Sequence, residues 1–361
     1  MTEKKIYSTI KGSGRYLPSR HIKNEYFLQS EFYDKEGNKI SKSNEAIVRT
    51  LQKITDIEER RYIEDEYVTS DIAFFAAQKA INSANIDKET LDYIIVAHNF
   101  GDVLKNNQKS DMVPTLAARV KHKLQIKNPY TVAYDLPFGC PGWLQGLIQA
   151  DYYLKSGDAK KILVIGAETL SRISDPHDID SMIFSDGAGA VVMEARLSEE
   201  PMGILTHITR SDTLEHAHLL KMDKSYYSGY KDDTLFLKMN GRKLYEYAIS
   251  TVPQTLKDAI EKAGLELSDI KKVMIHQANG KMDFNILMRL FELYEIKDIP
   301  KDIMPMSISQ LGNNSVATLP ILYDLIHKEE FESQQINSND YLLFASVGAG
   351  MNINVMIYKV P

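Results

Sequence analysis

The sequence has one cysteine, Cys140, and one tryptophan, Trp143. A single cysteine excludes an intramolecular disulfide. No stretch approaches the ~18 uninterrupted apolar residues that a membrane span requires, and Met1–Lys11 lacks the basic and apolar order of a signal peptide. The net charge of −6 argues against general nucleic-acid binding. These absences predict a cytoplasmic protein without membrane or nucleic-acid partners, in which a thiol stays reduced.

Hydrophobic patterning indicates an α/β protein. The 361 residues are 43% hydrophobic and 25% charged, which suits one large core or two medium ones. Short β-branched runs alternate with stretches of helical period, as in layered α/β folds. The predicted strands are Tyr93–Ala97, Thr131–Leu136, Ile162–Ile165, Ala190–Glu194, Lys272–Ile275, Tyr341–Ser346 and Asn352–Tyr358.

Two helices are clearest between these strands. One is predicted over Pro141–Lys155 and ends at Gly157, and the other runs from about Lys243 to Ala263 despite an internal proline. A similar order of elements before and after residue 200 predicts two related halves, 1–200 and 201–361. Long polar stretches are predicted to be loops: Ser30–Asn44, Gly101–Asp111 and Ser211–Thr234.

The only cysteine stands where a chemically active one is expected. The segment 131–143 runs from a predicted strand through Gly139 into the predicted helix, which places Cys140 beside the helix N-terminus. Unpaired N–H groups and the positive end of the helix dipole favour a thiolate there. The alternative is a small buried apolar residue, which is the commoner state of a lone cysteine.

Two further residues could serve that thiol. His276 follows a predicted strand in the string Ile-His-Gln-Ala-Asn, and Asn313 lies in a glycine-containing turn before an apolar helix. Alone, His276 fits a structural histidine, and Asn313 fits a residue chosen for turn geometry or capping. Cys140, His276 and Asn313 together, in this order, favour a catalytic set.

The strings around these residues resemble β-ketoacyl-acyl-carrier-protein synthase III of the thiolase superfamily over nearly the whole chain. The resemblance implies a thiolase fold, in which two related βαβαβ-type halves form a layered α-β-α-β-α sandwich, and a homodimer. The matching strings are Thr55–Arg60, Phe138–Gly142, Lys155–Gly157, Gly166–Arg172, Asp186–Gly189, His276–Asn279, Gly312–Ser315 and Gly348–Gly350.

The resemblance also implies a reaction, a Claisen condensation that needs no cofactor and no metal. An acyl group is first carried by Cys140, and the carbanion of a malonyl or β-ketoacyl thioester then attacks it. His276 and Asn313 would stabilise the enolate, and the backbone N–H groups of Cys140 and Ala349 would form the oxyanion hole. Ala349 stands where the family usually has glycine, so its φ must be negative.

The chain departs from the family where coenzyme A binds. Thr50 and Ile179 align with a tryptophan and an arginine that stack the adenine, and neither can do so. We therefore expect acyl groups to arrive on an acyl carrier protein. Lys281 and Arg289 align with family docking positions, although the same residues would suit an ordinary solvated helix face.

Other positions bear on substrate and assembly. Met112 and Val113 align with the segment that reaches the partner subunit's acyl tunnel. With the long loops, they suggest a specialised subgroup, such as ketosynthases that join two acyl units towards dialkylresorcinols. The alternative is a non-catalytic partner of another ketosynthase, but such subunits typically lose the nucleophile.

Two remaining patterns predict no ligand site. His216 and His218 have metal-like spacing without a third ligand nearby, so a surface loop is expected. Gly12 and Gly14 lack the flanking strand, turn and helix of a dinucleotide site and are predicted to form tight turns.

Overall fold

The computed structural model describes residues 4–230 and 233–361. Two β-sheets, of five and four strands, form the core of the fold. The strands are β1 (Lys5–Tyr16), β2 (Arg20–Lys23), β3 (Glu59–Tyr62), β4 (Tyr93–His98), β5 (Asp102–Leu104), β6 (Asn107–Asp111), β7 (Val132–Pro137), β8 (Lys161–Thr169), β9 (Asp186–Ser198), β10 (Gly203–Ser211), β11 (Leu220–Asp223), β12 (Phe236–Met239), β13 (Ile270–Ile275), β14 (Tyr341–Gly348) and β15 (Asn352–Lys359). The helices are α1 (Asn44–Thr55), α2 (Thr69–Ala84), α3 (Leu116–Lys123), α4 (Gly142–Ser156), α5 (Thr213–His216), α6 (Gly241–Lys262), α7 (Gly280–Glu292), α8 (Ile308–Leu311) and α9 (Thr318–His327).

The larger sheet has the strand order β1-β9-β8-β4-β7, and the smaller has β10-β15-β14-β13. Strand β4 runs parallel to β7 and β8, and β13 runs parallel to β14. Every strand of the larger sheet precedes residue 200, and every strand of the smaller one follows it. The division into domains 1–200 and 201–361 stays a prediction, to which this distribution of strands adds support.

Helices cover both sheets and separate them, which gives the five layers of the expected fold. Helices α2 and α3 pack on the outer face of the larger sheet, and α6 and α7 pack on the outer face of the smaller one. Between the sheets lie α4 and α9, where Leu147 and Leu322 share one apolar cluster with Val164 of the larger sheet and Phe344 of the smaller.

The two clearest helix predictions are confirmed. Helix α4 begins after Pro141 and ends at Gly157, whose φ of +83° is the left-handed conformation that glycine adopts readily. Trp143 packs in the core at 1% exposure. Helix α6 continues through Pro253, which is buried within it.

Two predicted loops contain regular structure instead. Most of Gly101–Asp111 forms the β5–β6 hairpin, which Arg119 holds by donating to Asp102 at 2.6 Å and to Asp111 at 2.7 Å. The predicted loop 211–234 contains α5 and β11, and two of its residues, 231 and 232, lie outside the described ones. Backbone pairing forms the β5–β6 hairpin without a long apolar run in the sequence.

The predicted turns at Gly12 and Gly14 are also wrong, because both glycines lie inside β1. A Cβ on Gly12 would stand 2.3 Å from the Ala84 backbone N, and one on Gly14 would stand 2.4 Å from that of Ala80. These glycines therefore allow α2 to approach the sheet closely.

The described part of the chain offers neither a membrane-spanning helix nor a metal cluster. No helix there combines the length and apolar character needed to cross a bilayer. Nor do residues 4–230 and 233–361 contain three or more His, Cys, Asp or Glu side chains grouped to hold a metal ion.

Candidate active site

One cavity of about 480 Å³ receives all three predicted catalytic side chains. Cys140 precedes α4, His276 follows β13, and Asn313 lies just after α8, so the fold brings together residues far apart in sequence. Apolar side chains dominate the remaining wall, including Phe100, Leu170, Phe184, Leu220, Met222, Leu237, Met239, Leu244, Met282 and Val347. The volume and lining suit a largely apolar small-molecule ligand.

Cys140 faces this cavity from within the protein, and burial raises the pKa of its thiol to about 11. The nearby Glu168 carboxylate acts in the same direction, whereas a hydrogen bond from Ser315 opposes it. The helix N-terminus alone predicted a thiolate. Burial outweighs that effect, so the resting thiol is protonated at neutral pH.

Ser315 is a site residue that sequence reasoning missed. Its hydroxyl donates to Cys140 Sγ at 3.3 Å, and its backbone N–H donates to Asn313 Oδ1 at 2.8 Å. The Ser315 backbone has a φ of +51°, which is unusual for a residue with a Cβ. The signal in the sequence was its place in the matching string Gly312–Ser315, two residues after Asn313.

His276 is buried at 2% exposure, and this burial lowers the pKa of its imidazole to about 4. Its Nδ1 lies 3.2 Å from Thr318 Oγ1, within a hydrogen bond. The ring is therefore neutral at neutral pH, and Thr318 fixes its orientation from the start of α9.

The turn that follows β14 packs directly against the cysteine. A Cβ on Gly348 would stand 2.6 Å from Cys140 N, and one on Gly139 would stand 2.9 Å from Ala349 N. Positive φ values in this turn fall on Gly350 and Met351, not on Ala349. The φ of Ala349 is therefore not positive, as was expected for an alanine where the family usually has glycine.

The β11–β12 hairpin closes one side of the cavity and is anchored by a buried ion pair. Lys238 of β12 is 4% exposed and donates to Asp175 at 2.5 Å and to Asp178 at 2.9 Å. The Lys238 ammonium also lies 3.5 Å from the ring centre of Tyr226. These contacts join the hairpin to the segment that follows β8.

An aromatic cluster of Tyr33, His177, Tyr227 and Tyr230 joins the two longest predicted loops beside this ion pair. The His177 ring centre lies 5.6 Å from that of Tyr33, 4.6 Å from that of Tyr227 and 6.2 Å from that of Tyr230. The cluster therefore packs Tyr33 of the first loop and Tyr227 and Tyr230 of the second onto His177, just before Ile179.

Thr50 and Ile179, the two residues that replace the family's adenine-stacking pair, make other contacts. Thr50 is exposed on α1 and donates its hydroxyl to Ala46 O at 2.7 Å. Ile179 packs against an apolar cluster that includes Ile47 and Met182. Neither side chain offers a surface on which a base could stack.

The expected docking and tunnel residues lie outside the cavity. Lys281 and Arg289 are exposed on α7, with Phe284 53% exposed between them. Met112 and Val113, before α3, are 39% and 86% exposed. The structure does not bring these two residues near Cys140 within one chain, and their roles stay predictions.

Comparison with known proteins agrees with this architecture. The family model of 3-oxoacyl-[acyl-carrier-protein (ACP)] synthase III matches residues 134–213, and the model of its C-terminal part matches residues 260–360. The β-ketoacyl-[acyl-carrier-protein] synthase III of Staphylococcus aureus strain JH1 is 33% identical over 351 residues, which are 97% of this chain and 98% of that protein.

Solved structures give the same result. The 3-oxoacyl-[acyl-carrier-protein] synthase III of Aquifex aeolicus VF5 aligns with a TM-score of 0.78 at 29% identity, covering 98% of this chain and 99% of that one. The priming β-ketosynthase of the R1128 polyketide pathway aligns with a TM-score of 0.81 over 100% and 98% of the two chains. Its 23% identity shows a shared fold.

The layered fold and the cysteine-centred cavity define a thiolase-fold ketosynthase, an acyltransferase. Within that class, the chain belongs to the β-ketoacyl-[acyl-carrier-protein] synthase III family. The alternative of a non-catalytic partner subunit is not favoured, because all three predicted catalytic residue types are present and line one cavity.

Proposed function

We propose that this ketosynthase joins two acyl units delivered by an acyl carrier protein, using Cys140 as nucleophile and His276 and Asn313 as enolate-stabilising donors. The observation that supports it best is the convergence of these three side chains in one apolar cavity. Acyl carrier proteins present their acyl groups on phosphopantetheine, and a narrow apolar cavity suits that arm and its thioester.

In the first half-reaction, the Cys140 sulfur attacks the carbonyl carbon of an acyl thioester. The new carbon–sulfur bond replaces the old one, and the thiol of the carrier leaves with the proton that Cys140 gives up. The oxyanion formed on the way would accept hydrogen bonds from the N–H groups of Cys140 and Ala349. The close packing of their two turns supports this pairing.

In the second half-reaction, a malonyl-type thioester loses carbon dioxide and its carbanion attacks the acyl-Cys140 carbonyl. The carbon–sulfur bond breaks, and the Cys140 thiolate takes up a proton. Because burial lowers the pKa of His276 to about 4, it acts as a neutral hydrogen-bond donor. Asn313 Oδ1 is occupied by the Ser315 N–H, so Nδ2 is the amide atom left to donate to the enolate oxygen.

The contacts around Ile179, where the family binds adenine, favour delivery of the acyl group by a carrier protein. The Lys238 ion pair and the aromatic cluster connect the segments around Ile179 to each other, where a nucleotide would need an open stacking surface. The exposed α7 residues Lys281, Phe284 and Arg289 offer positive charge around an apolar side chain to an acidic partner. A homodimer, with Met112 and Val113 reaching the partner's tunnel, is part of the proposal.

Intact-protein mass spectrometry tests the proposal directly. The chain is mixed with matched acyl-carrier-protein and acyl-coenzyme A thioesters of several chain lengths, and the mass added to Cys140 is recorded. We expect adducts from the carrier-protein series at a much higher rate than from coenzyme A. Equal rates would remove the carrier-protein proposal, and no adduct from either series would remove the acyl-transfer proposal.

The final product separates the possible extender units. Malonyl-carrier protein would give a β-ketoacyl product with release of carbon dioxide, whereas a β-ketoacyl extender would form its carbanion by losing an α-proton and would release no carbon dioxide. We place the chain with ketosynthases that join two acyl units towards dialkylresorcinol-like lipids. A product formed only with malonyl-carrier protein would exclude that assignment.

A further inference from the structure

Glu168 is a buried carboxylate to which the reaction above gives no role. It lies near the end of β8 with no exposed surface. Its Oε2 accepts two hydrogen bonds from Asn99, one from the backbone N at 3.0 Å and one from side-chain Nδ2 at 2.5 Å. Within the described residues, Oε1 has no hydrogen-bond partner. Burial of a carboxylate costs free energy, so its specific contacts indicate a function.

Those contacts lead to the nucleophile. Asn99 Nδ2 also donates to Ser315 Oγ at 3.2 Å, and the Ser315 hydroxyl donates to Cys140 Sγ at 3.3 Å. A serine hydroxyl has one proton and can accept as well. Because Asn99 acts as donor to Ser315 Oγ, the single proton of that hydroxyl stays directed at sulfur.

The orientation of the Asn99 side-chain amide decides where the Ser315 hydroxyl proton points. In the reverse orientation, Asn99 would present Oδ1 to Ser315 and compete with sulfur for the hydroxyl proton. Burial raises the pKa of Glu168 to about 7, so the side chain is mostly ionised at pH 8. An ionised carboxylate only accepts hydrogen bonds, and Glu168 in that state admits Nδ2 on its side and excludes Oδ1.

The backbone beside Asn99 is fixed as well. His98 Nδ1 accepts the Gly101 N–H at 3.0 Å, and its Nε2 lies 3.0 Å from Asp135 Oδ2. Asp135 in turn accepts two backbone N–H groups at the start of α3, each at 2.7 Å. Asn99 is thus held from both sides, and only its amide orientation remains to be set.

We propose that Glu168 is a positioning residue: by fixing the Asn99 amide, it directs the Ser315 hydroxyl at Cys140 and stabilises the thiolate that accepts the acyl group. The inference rests on the proposed nucleophilic role of Cys140. The negative charge of Glu168 acts in the opposite direction, because it raises the pKa of the thiol. Substitutions of Glu168 can therefore separate the effect of its hydrogen bonds on the Cys140 thiol from the effect of its charge.

The test is the rate of iodoacetamide alkylation as a function of pH, followed by intact mass. Cys140 is the only cysteine, so every adduct reports on it. Glu168→Leu, Asn99→Leu and Ser315→Ala each remove a link, and we expect each to raise the thiol pKa and slow alkylation at pH 8 by about tenfold. Glu168→Gln removes the charge and keeps an acceptor oxygen. The Asn99 backbone N–H, which donates to Oε2 at 3.0 Å, should hold the Gln oxygen at that place beside the Asn99 side chain, so this variant should react at least as fast as the native chain.

Asp324→Asn is the matched control, because Asp324 is also fully buried but bonds Ser13 and Arg15 in another part of the molecule. A folded Glu168→Leu variant alkylated at the native rate would overturn the proposal, as would a Glu168→Gln variant as slow as Glu168→Leu. Thermal unfolding identifies the variants that fold.

A double substitution keeps the test decisive if one variant is unstable. In a Ser315→Ala background, Asn99→Leu should cause no further slowing, because the link through which it acts is already absent. A further tenfold loss would overturn the proposal. Iodoacetamide needs no acyl donor, so this outcome is independent of whether acyl-carrier protein is the substrate.

Discussion

Ser315 donates to the sulfur of Cys140 over 3.3 Å from a backbone held at a φ of +51°. Such a conformation costs on the order of 1–3 kcal/mol and persists where its surroundings impose it. Asn313 imposes it here, because its Oδ1 accepts the Ser315 N–H at 2.8 Å. One short turn therefore orients both the group that faces the nucleophile and the amide proposed to stabilise the enolate.

Alkylation of Cys140 by iodoacetamide should accelerate throughout the range from pH 7 to pH 10. A thiol is neutral below its pKa, and burial raises the pKa of Cys140 to about 11, so the reactive thiolate grows about tenfold per pH unit over this range. Glutathione, measured in parallel, should level off about two units earlier. A Cys140 rate that is already constant at pH 8 would contradict the prediction.

Alanine at His276 or Asn313 should separate the two half-reactions. Each substitution removes a donor to the enolate and is expected to reduce condensation by about 10²–10³-fold, while acyl transfer to Cys140 is largely retained. Single-turnover acylation and product formation are measured separately. His327→Ala serves as control, because His327 stacks on Tyr323 away from the cavity. Equal losses in both steps would count against the assigned roles.

Replacement of Lys238 by methionine should destabilise the fold. Asp175 and Asp178 would lose their buried partner, and removing one member of a buried ion pair costs about 3–5 kcal/mol. Lys221→Met is the matched control in the same hairpin, because the Lys221 to Asp223 pair is exposed and such pairs contribute at most about 1 kcal/mol. Urea titration of both variants gives their free energies of unfolding, and equal losses of stability would refute the prediction.

Charge reversal on α7 should weaken use of the carrier protein. Lys281→Glu and Arg289→Glu are each expected to raise KM for acyl-carrier protein about tenfold, with a smaller effect at high salt. A short pantetheine thioester should react at an unchanged rate, because Lys281 and Arg289 lie on the exposed face of α7 and do not line the cavity. Lys79→Glu, at an exposed position of α2, is the control. Unchanged KM values for both α7 variants would place docking elsewhere.

Local patterns predicted much of the framework. Helix α4 was readable because Pro141 and Gly157 mark its ends. Six of the seven predicted strands follow apolar runs that are buried in the two sheets, and the seventh, β7, is only partly buried. The catalytic residue types were readable because each stands in a distinctive turn at the end of a strand or helix.

The features that the sequence did not predict depend on contacts between residues far apart in the chain. Glu168 and Asn99 are 69 positions apart, and Ser315 meets Asn99 across 216 positions. The β5–β6 hairpin has polar sequence, and Arg119 stabilises it from a helix that follows it. The raised pKa of Cys140 also results from burial in three dimensions. Periodicity and short motifs do not predict such contacts.

The central layer has a consequence for how the molecule unfolds. Helix α4 comes from the first half of the chain and α9 from the second, yet their side chains belong to one apolar cluster that touches both sheets. Melting either half would expose the inner face of the other. Heat should therefore disrupt the two halves in a single cooperative transition, with the nucleophile lost together with the whole scaffold.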